Sequence, residues 1–223
     1  MGARLGRRAL IGRGSAGFVL LLAGNGRAGA QAPAGRPLRL LMLGDSITAA
    51  YGLSRPEGLP ARLEAALQAK GRPVTVLDAG VSGDTTAGGR SRLEWSLAEK
   101  PDAVIVALGG NDGLRAIEPR ASQANLKAIL ETLKARGIPA LLAGMYAPPN
   151  LGADYVREFA GVFRRLTEEN PEVVFYPFLL DGVAGDRALN QADGIHPNPR
   201  GVEEMVRQML PAVETLLDKV RPA

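Results

Sequence analysis

The stretch Leu40-Leu41-Met42-Leu43-Gly44-Asp45-Ser46-Ile47-Thr48 decides how this chain folds. It begins as an uninterrupted apolar run, which is typical of a strand buried on both faces of a parallel sheet. The run stops at Gly44, and a glycine followed by small polar residues indicates a tight turn. We therefore predict a buried strand at residues 38–43, followed by a turn that presents Ser46 at its carboxyl end.

The rest of the chain alternates apolar runs with helical patterns. Further strands are predicted at residues 74–77, 103–108, 140–143 and 173–178. Helices are predicted at residues 58–70, 86–99, 121–136, 154–170 and 201–219. We expect Trp95 and the apolar stripes of the helices in the core. The alternation implies an α/β fold, with a parallel sheet that carries helices on both faces.

Glycine and small polar residues follow each of the first three predicted strands. Ser46 follows the first strand, Gly83 the second and Asn111 the third, while Asp193 and His196 come between the fifth strand and the last helix. In open α/β sheets, ligands bind beyond the carboxyl ends of the strands. These five residues, which are far apart in sequence, are therefore expected at one edge of the sheet.

The residue types at this edge predict a serine hydrolase. Serine is a poor nucleophile until a base takes its proton, and His196 is the only histidine of the chain. Asp193 would bind the other ring nitrogen and stabilise the charged imidazole. An oxyanion formed by attack of Ser46 on a carbonyl needs donors, for which we predict the backbone N–H groups of Ser46 and Gly83 and the side-chain amide of Asn111.

Other interpretations of the same residues remain open at this point. Carboxylates at the strand ends (Asp45, Asp84, Asp112 and Asp193) could hold Mg²⁺ for a phosphohydrolase, although we interpret Asp45 as structural. An exported domain could also bind lipid without catalysis. His196 could cap the last helix, Gly83 could shape a turn and Asn111 could bind loop backbone. We favour the serine hydrolase and predict no metal and no cofactor.

The first 32 residues have the pattern of an export signal. They contain five arginines and no acid, so the net charge of +4 falls to −1 for the remainder, which argues against nucleic-acid binding. Arg7-Arg8 resembles a twin-arginine start, an apolar segment follows, and cleavage is expected near Ala30 or Ala32. We expect a lead-in at residues 33–37, one domain at 38–223, and a monomer that is periplasmic or secreted without stable membrane insertion.

Four blocks in this order resemble the SGNH (GDSL-type) hydrolases, in particular the bacterial thioesterases and arylesterases of that family. The blocks are Gly44-Asp45-Ser46-Ile47-Thr48, Gly83, Gly110-Asn111-Asp112 and Asp193-Gly194-Ile195-His196-Pro197. Ile47-Thr48 replaces the Leu-Ser of the family name, which is a conservative change. The resemblance covers the chain from about Leu38 to the last helix. It implies a flavodoxin-like three-layer α/β/α fold with five parallel strands, and hydrolysis of esters and thioesters through an acyl-serine.

Two segments are candidates for binding the substrate, which we expect to be a small acyl ester or thioester and to include lipids. One contains Gly113, Leu114 and Arg115, and the resemblance implies that residues 113–119 move over the acyl chain. The other contains Tyr146 and Pro148, which could equally support a loop. Chain length and leaving group depend on the shape of the pocket, which the sequence does not give.

Overall fold

Five parallel strands form one sheet in a computed structural model that describes residues 36–220. The strands are β1 (Leu38–Gly44), β2 (Val74–Gly80), β3 (Ala103–Ala107), β4 (Ala140–Ala143) and β5 (Val174–Tyr176), in the spatial order β2-β1-β3-β4-β5. This is the flavodoxin-like order, whose direction of winding reverses between β1 and β3. The predicted five-stranded parallel sheet is confirmed, whereas the predicted export signal lies outside the described residues.

Helices cover both sides of the sheet. They are α1 (Leu59–Ala69), α2 (Thr86–Ser91), α3 (Leu93–Leu97), α4 (Gly110–Leu114), α5 (Pro119–Ala135), α6 (Ala153–Glu169) and α7 (Pro199–Leu217). α1 packs against α7, while α5 packs against α2 and α6. No helix within residues 36–220 has both the length and the apolar character needed to cross a bilayer.

The central strands form the centre of the core. All five residues of β3 are buried, and so are residues 40–44 of β1, because both strands have neighbours on each side and helices on each face. β2, at the edge of the sheet, has only Val74 fully buried. The uninterrupted apolar run in β1 thus reflects burial on both faces, as expected for the middle of a parallel sheet.

Arg92 divides the helix that we predicted at residues 86–99 into two. Its guanidinium forms an ion pair with Asp84, with Nε 2.7 Å from Oδ2. Nη1 donates to the carbonyl of Ala79 at 2.8 Å and Nη2 to that of Gly44 at 2.7 Å. One side chain therefore satisfies two carbonyls at the ends of β1 and β2, and the chain leaves α2 at Arg92 and re-enters a helix at Leu93.

The expectation that Trp95 lies in the core is wrong. α3 has only five residues and buries Leu93 and Leu97, which lie on the same face at the i,i+4 spacing. Trp95 falls between them on the outer face and is 78% exposed. The break at Arg92 separates α3 from α2, so the face that α3 buries is not the one expected for a continuous helix at residues 86–99.

Arg92→Met should destabilise the fold strongly. The variant leaves the Asp84 carboxylate, which is mostly buried, without its cation, and breaking such a pair costs about 3–5 kcal/mol. We expect the free energy of unfolding in urea to fall by that amount. Arg90→Ala, an exposed neighbour that contacts Asn125, is the control and should change stability by less than about 0.5 kcal/mol. Equal loss of stability in both variants would contradict this role for Arg92.

Candidate active site

Ser46, His196 and Asp193 form a continuous chain of hydrogen bonds at the carboxyl edge of the sheet. Ser46 Oγ lies 2.9 Å from His196 Nε2, although the two residues are 150 positions apart. His196 Nδ1 lies 2.7 Å from Asp193 Oδ2. Ser46 comes two residues after β1, and His196 three residues before α7. The structure thus brings together the three residues that the sequence suggested as nucleophile, base and orienting acid.

A tight turn allows Asp193 to reach the ring of a histidine only three residues later. Asp193 Oδ1 accepts the backbone N–H of Ile195 at 2.9 Å and that of His196 at 3.0 Å, and Gly194 has a positive φ of 69°. The backbone N–H of His196, its ring and the N–H of Ile195 lower the pKa of Asp193 to about 2. The carboxylate is therefore ionised at neutral pH and accepts the hydrogen on Nδ1, which leaves Nε2 as an acceptor for Ser46.

The predicted oxyanion donors line the same cavity as Ser46. This cavity has a volume of about 640 Å³, and Ser46, Gly83, Asn111 and His196 are among its lining residues. Gly83 has a φ of 80°, a left-handed conformation that favours glycine. Its carbonyl accepts a hydrogen bond from Arg115 Nη2 at 2.8 Å. Within residues 36–220, the backbone N–H groups of Ser46 and Gly83 donate to no protein acceptor.

Asp112 connects the third block to its neighbours. It is buried and accepts the backbone N–H of Thr86 at 2.8 Å, the hydroxyl of Thr86 at 2.6 Å and that of Ser122 at 2.9 Å. Asn125 in turn donates to the Thr86 hydroxyl at 3.2 Å. Asp112 therefore joins α4 to α2 and α5, and this fixes the position of Asn111, the preceding residue. No pattern in the sequence indicated this network.

The carboxylates at the strand ends do not converge on one point. Asp84 forms the ion pair with Arg92, and Asp112 accepts three protein hydrogen bonds. Asp45 Oδ1 accepts the backbone N–H of Ile47 at 3.1 Å, which agrees with a structural role. Among residues 36–220, no three His, Asp or Glu side chains are grouped as a metal site would require. The magnesium phosphohydrolase is therefore not favoured.

Three of the five residues that we proposed for substrate binding line the cavity. Leu114, Tyr146 and Pro148 line it. Gly113 does not, because it is buried close to Ala147. Arg115 does not line it either, because its guanidinium donates to the carbonyl of Gly83. Sequence analysis missed the lining residues Tyr51, Phe178, Leu180, Ala184, Gly185, Asn190 and Ile195.

Tyr51 is a missed residue whose ring packs against the predicted base. Its ring centroid lies 4.6 Å from that of His196, with an angle of 37° between the planes. Its backbone N–H donates to the carbonyl of Ser46 at 3.0 Å. The position of Tyr51, five residues after Ser46, does not indicate this contact in the sequence. The contact depends on the loop that carries His196, which lies near the other end of the chain.

The fold and this geometry are those of a serine hydrolase, with a Ser–His–Asp chain at the switch point of a parallel sheet. Comparison with known proteins identifies the family to which the chain belongs. It belongs to the GDSL-like lipase/acylhydrolase family, whose model matches residues 42–203. Members of this family hydrolyse ester bonds, and the relatives of this chain are named as esterases and thioesterases.

The esterase TesA of Pseudomonas aeruginosa is 40% identical over 179 residues, which are 80% of this chain and 89% of that protein. The thioesterase 1/protease 1/lysophospholipase L1 of Escherichia coli K12 is 37% identical over 78% of this chain and 84% of its own. Among solved structures, AlinE4, an SGNH-hydrolase family esterase, has a TM-score of 0.69 and 47% identity, covering 82% of this chain and 98% of that one. The chain is thus an ester hydrolase with the SGNH fold.

Asp45→Asn should remove a pH dependence of stability. Burial raises the pKa of Asp45 from 3.8 to about 6. Between these values the unfolded chain loses the proton while the folded protein keeps it, so stability falls as pH rises through this window and levels off above it. A shift of about 2 units corresponds to about 3 kcal/mol. Relative to wild type, the variant should therefore gain about that much between pH 4 and pH 7, as measured by urea unfolding.

The matched control for this experiment is Asp78→Asn. Asp78 also accepts the backbone N–H two residues later, that of Gly80 at 2.9 Å, but it is exposed. Its substitution removes a short-range hydrogen bond of the same kind from an exposed carboxyl and should change stability by less than about 0.5 kcal/mol. A difference from wild type that stays constant with pH for Asp45→Asn would show that burial of Asp45 does not govern its protonation.

Proposed function

We propose that this protein hydrolyses carboxylic esters and thioesters through an acyl-enzyme on Ser46. The hydrogen-bonded chain from Ser46 Oγ through His196 to Asp193 is the observation that supports this proposal. His196 Nε2 takes the proton of the Ser46 hydroxyl as Oγ attacks the carbonyl carbon. The Asp193 carboxylate stabilises the imidazolium that forms.

The charge that develops on the carbonyl oxygen requires donors that are already in place. The backbone N–H groups of Ser46 and Gly83 have no protein acceptor within residues 36–220 and belong to residues that line the cavity. Among the described residues, the Asn111 amide donates only one hydrogen bond, a long one of 3.4 Å to Asp45 Oδ2. We assign these three donors to the oxyanion.

The two halves of the reaction use the same base. When the tetrahedral intermediate collapses, the bond to the alcohol or thiol breaks, and the proton on His196 Nε2 passes to the leaving group where it is needed. A water molecule then gives a proton to Nε2 and attacks the acyl group on Ser46. The carboxylic acid leaves, and the proton returns to Ser46 Oγ.

The lining of the cavity supports acyl and aryl esters as substrates. Leu114, Tyr146 and Phe178 give it a largely apolar surface, and polar groups are concentrated near Ser46. Such pockets bind apolar groups and orient them with a few polar contacts. The names of the relatives, esterase and thioesterase 1/protease 1/lysophospholipase L1, agree with this range. We therefore propose aryl esters, acyl thioesters and lysophospholipids as the substrate classes.

Ser46→Ala should abolish hydrolysis of nitrophenyl acyl esters. Loss of the nucleophile should lower kcat by at least about 10⁴-fold, while thermal unfolding stays close to wild type. A fluorophosphonate should add covalently to Ser46 in the wild type and not at all in the variant, as measured by mass spectrometry. Ser91→Ala, at an exposed serine of α2, is the control and should retain both activities. Turnover that persists in Ser46→Ala, or is lost from wild type in excess chelator, would contradict the mechanism.

We further propose that residues 1–32 direct export and that the mature protein is a monomer in the periplasm or medium. The arginine-rich start, the short apolar segment and the small residues near Ala30 and Ala32 support this. Expression of the full chain in a Gram-negative host should yield periplasmic or secreted protein that begins soon after one of these alanines, as read by N-terminal sequencing, and elutes as a monomer. An uncleaved cytoplasmic product would contradict the export signal.

A further inference from the structure

Asp193 and His196 belong to a loop that projects from the sheet edge. We define the histidine loop as residues 191–197. An antiparallel bridge between Asn190 and Pro197 closes its base, and residues 192–195 are exposed. An exposed loop of this kind has few packing contacts that would hold it in one position. Its placement over Ser46 therefore depends on a small number of specific bonds.

Gln191 makes an unusual number of these bonds. Its backbone N–H donates to the carbonyl of His196 at 2.8 Å, and its own carbonyl accepts the N–H of Gly194 at 3.0 Å. Its side-chain Nε2 donates to the carbonyl of Pro197 at 3.0 Å. Gln191 thus contacts the middle and the end of the histidine loop from the position where the loop begins.

The same side-chain amide also reaches the segment that carries the nucleophile. Nε2 donates to the carbonyl of Tyr51 at 2.8 Å, and the N–H of Tyr51 donates to the carbonyl of Ser46 at 3.0 Å. In the part of the chain that the structure describes, only two hydrogen bonds join residues 44–54 to residues 190–198. One is this amide bond, and the other is the bond between Ser46 and His196.

The Gln191 amide occupies space beside Gly52 that a side chain at residue 52 would fill. The residue has a φ of 73°, and a Cβ placed on it would lie 2.1 Å from Oε1 and 2.9 Å from Cδ of Gln191. A contact under 3.0 Å requires some atoms to move. Gly52 therefore serves two purposes, because it permits the left-handed turn after Tyr51 and lets the amide pack against the main chain.

We infer that Gln191 is a positioning residue that holds the base over the nucleophile, most importantly in the second half of the reaction. This inference rests on the proposed acyl-serine mechanism. Once Ser46 Oγ is bonded to the acyl group, it has no hydrogen to donate to His196. The Gln191 amide is then the remaining hydrogen bond between the two segments, at the stage when His196 must take a proton from water. Misplacement of a base by about 1 Å can cost about 10²-fold in rate.

Gln191→Ala and Gln191→Met should therefore slow deacylation more than acylation. The methionine variant keeps the approximate shape of the side chain without its hydrogen bonds. With a nitrophenyl ester we expect kcat to fall about 10- to 100-fold and kcat/KM to fall less, so that KM decreases. Rapid mixing should show a burst of nitrophenol that approaches one equivalent per enzyme, because the acyl-enzyme accumulates. Fluorophosphonate titration counts the folded, reactive enzyme in each preparation.

Two further variants distinguish positioning from general damage. Gln123→Ala is the matched control, since Gln123 is also half-buried and bonded through its amide, to Arg165, but lies on α5. It should keep wild-type kcat and burst. Gly52→Ala should displace the Gln191 amide and reproduce the kinetic change. Combined with Gln191→Ala it should add little further loss, because both substitutions break the same bonds.

The inference is overturned if both Gln191 variants keep the kcat and burst of the wild type. It is also overturned if kcat and kcat/KM fall in proportion, without a burst, since Gln191 would then support the structure alone. Failure of the proposed function is a separate result. In that case the wild-type protein itself would show no ester turnover and no covalent label on Ser46.

Discussion

The alignment of three parallel strand ends is the constraint on which the site depends. In the register of the sheet, Gly44 at the end of β1 pairs with Gly80 of β2 and with Ala107 of β3. The chain segments that continue from these three residues therefore begin at the same level. β1 lies at the point where the winding of the sheet reverses, so the loops after β1 and β3 turn to opposite faces and leave a crevice between them.

Buried polar groups then fix the loops that this alignment brings together. Arg92 joins the ends of β1 and β2 through two carbonyls and a carboxylate, and Asp112 joins α4 to α2 and α5. Such groups are stable in the interior only when all their partners are present. Each of them therefore favours one arrangement of the edge over others. The position of Asn111, which we propose as an oxyanion donor, follows from the buried hydrogen bonds of the neighbouring Asp112.

The histidine loop is held differently from the other catalytic segments. Ser46 and Gly83 come two and three residues after strands, and Asn111 lies in α4 beside the buried Asp112, whereas Asp193 and His196 sit in a loop whose middle is exposed. Its geometry comes from local turns, with Asp193 accepting two backbone N–H groups, and from the amide of Gln191. A base that must exchange protons with serine, leaving group and water benefits from an anchor that none of these steps breaks.

The sequence by itself determined the strands, the sheet type and the Ser–His–Asp set. These depend on short-range signals: an apolar run that ends in Gly44-Asp45-Ser46, a single histidine, and an acid three residues before it. The tertiary structure alone decided the break at Arg92, the exposure of Trp95 and the contacts of Tyr51 and Gln191. The physical reason is distance along the chain. The Gln191 amide meets the carbonyl of Tyr51 across 140 residues, and no local periodicity encodes a contact between loops that only the folded sheet brings together.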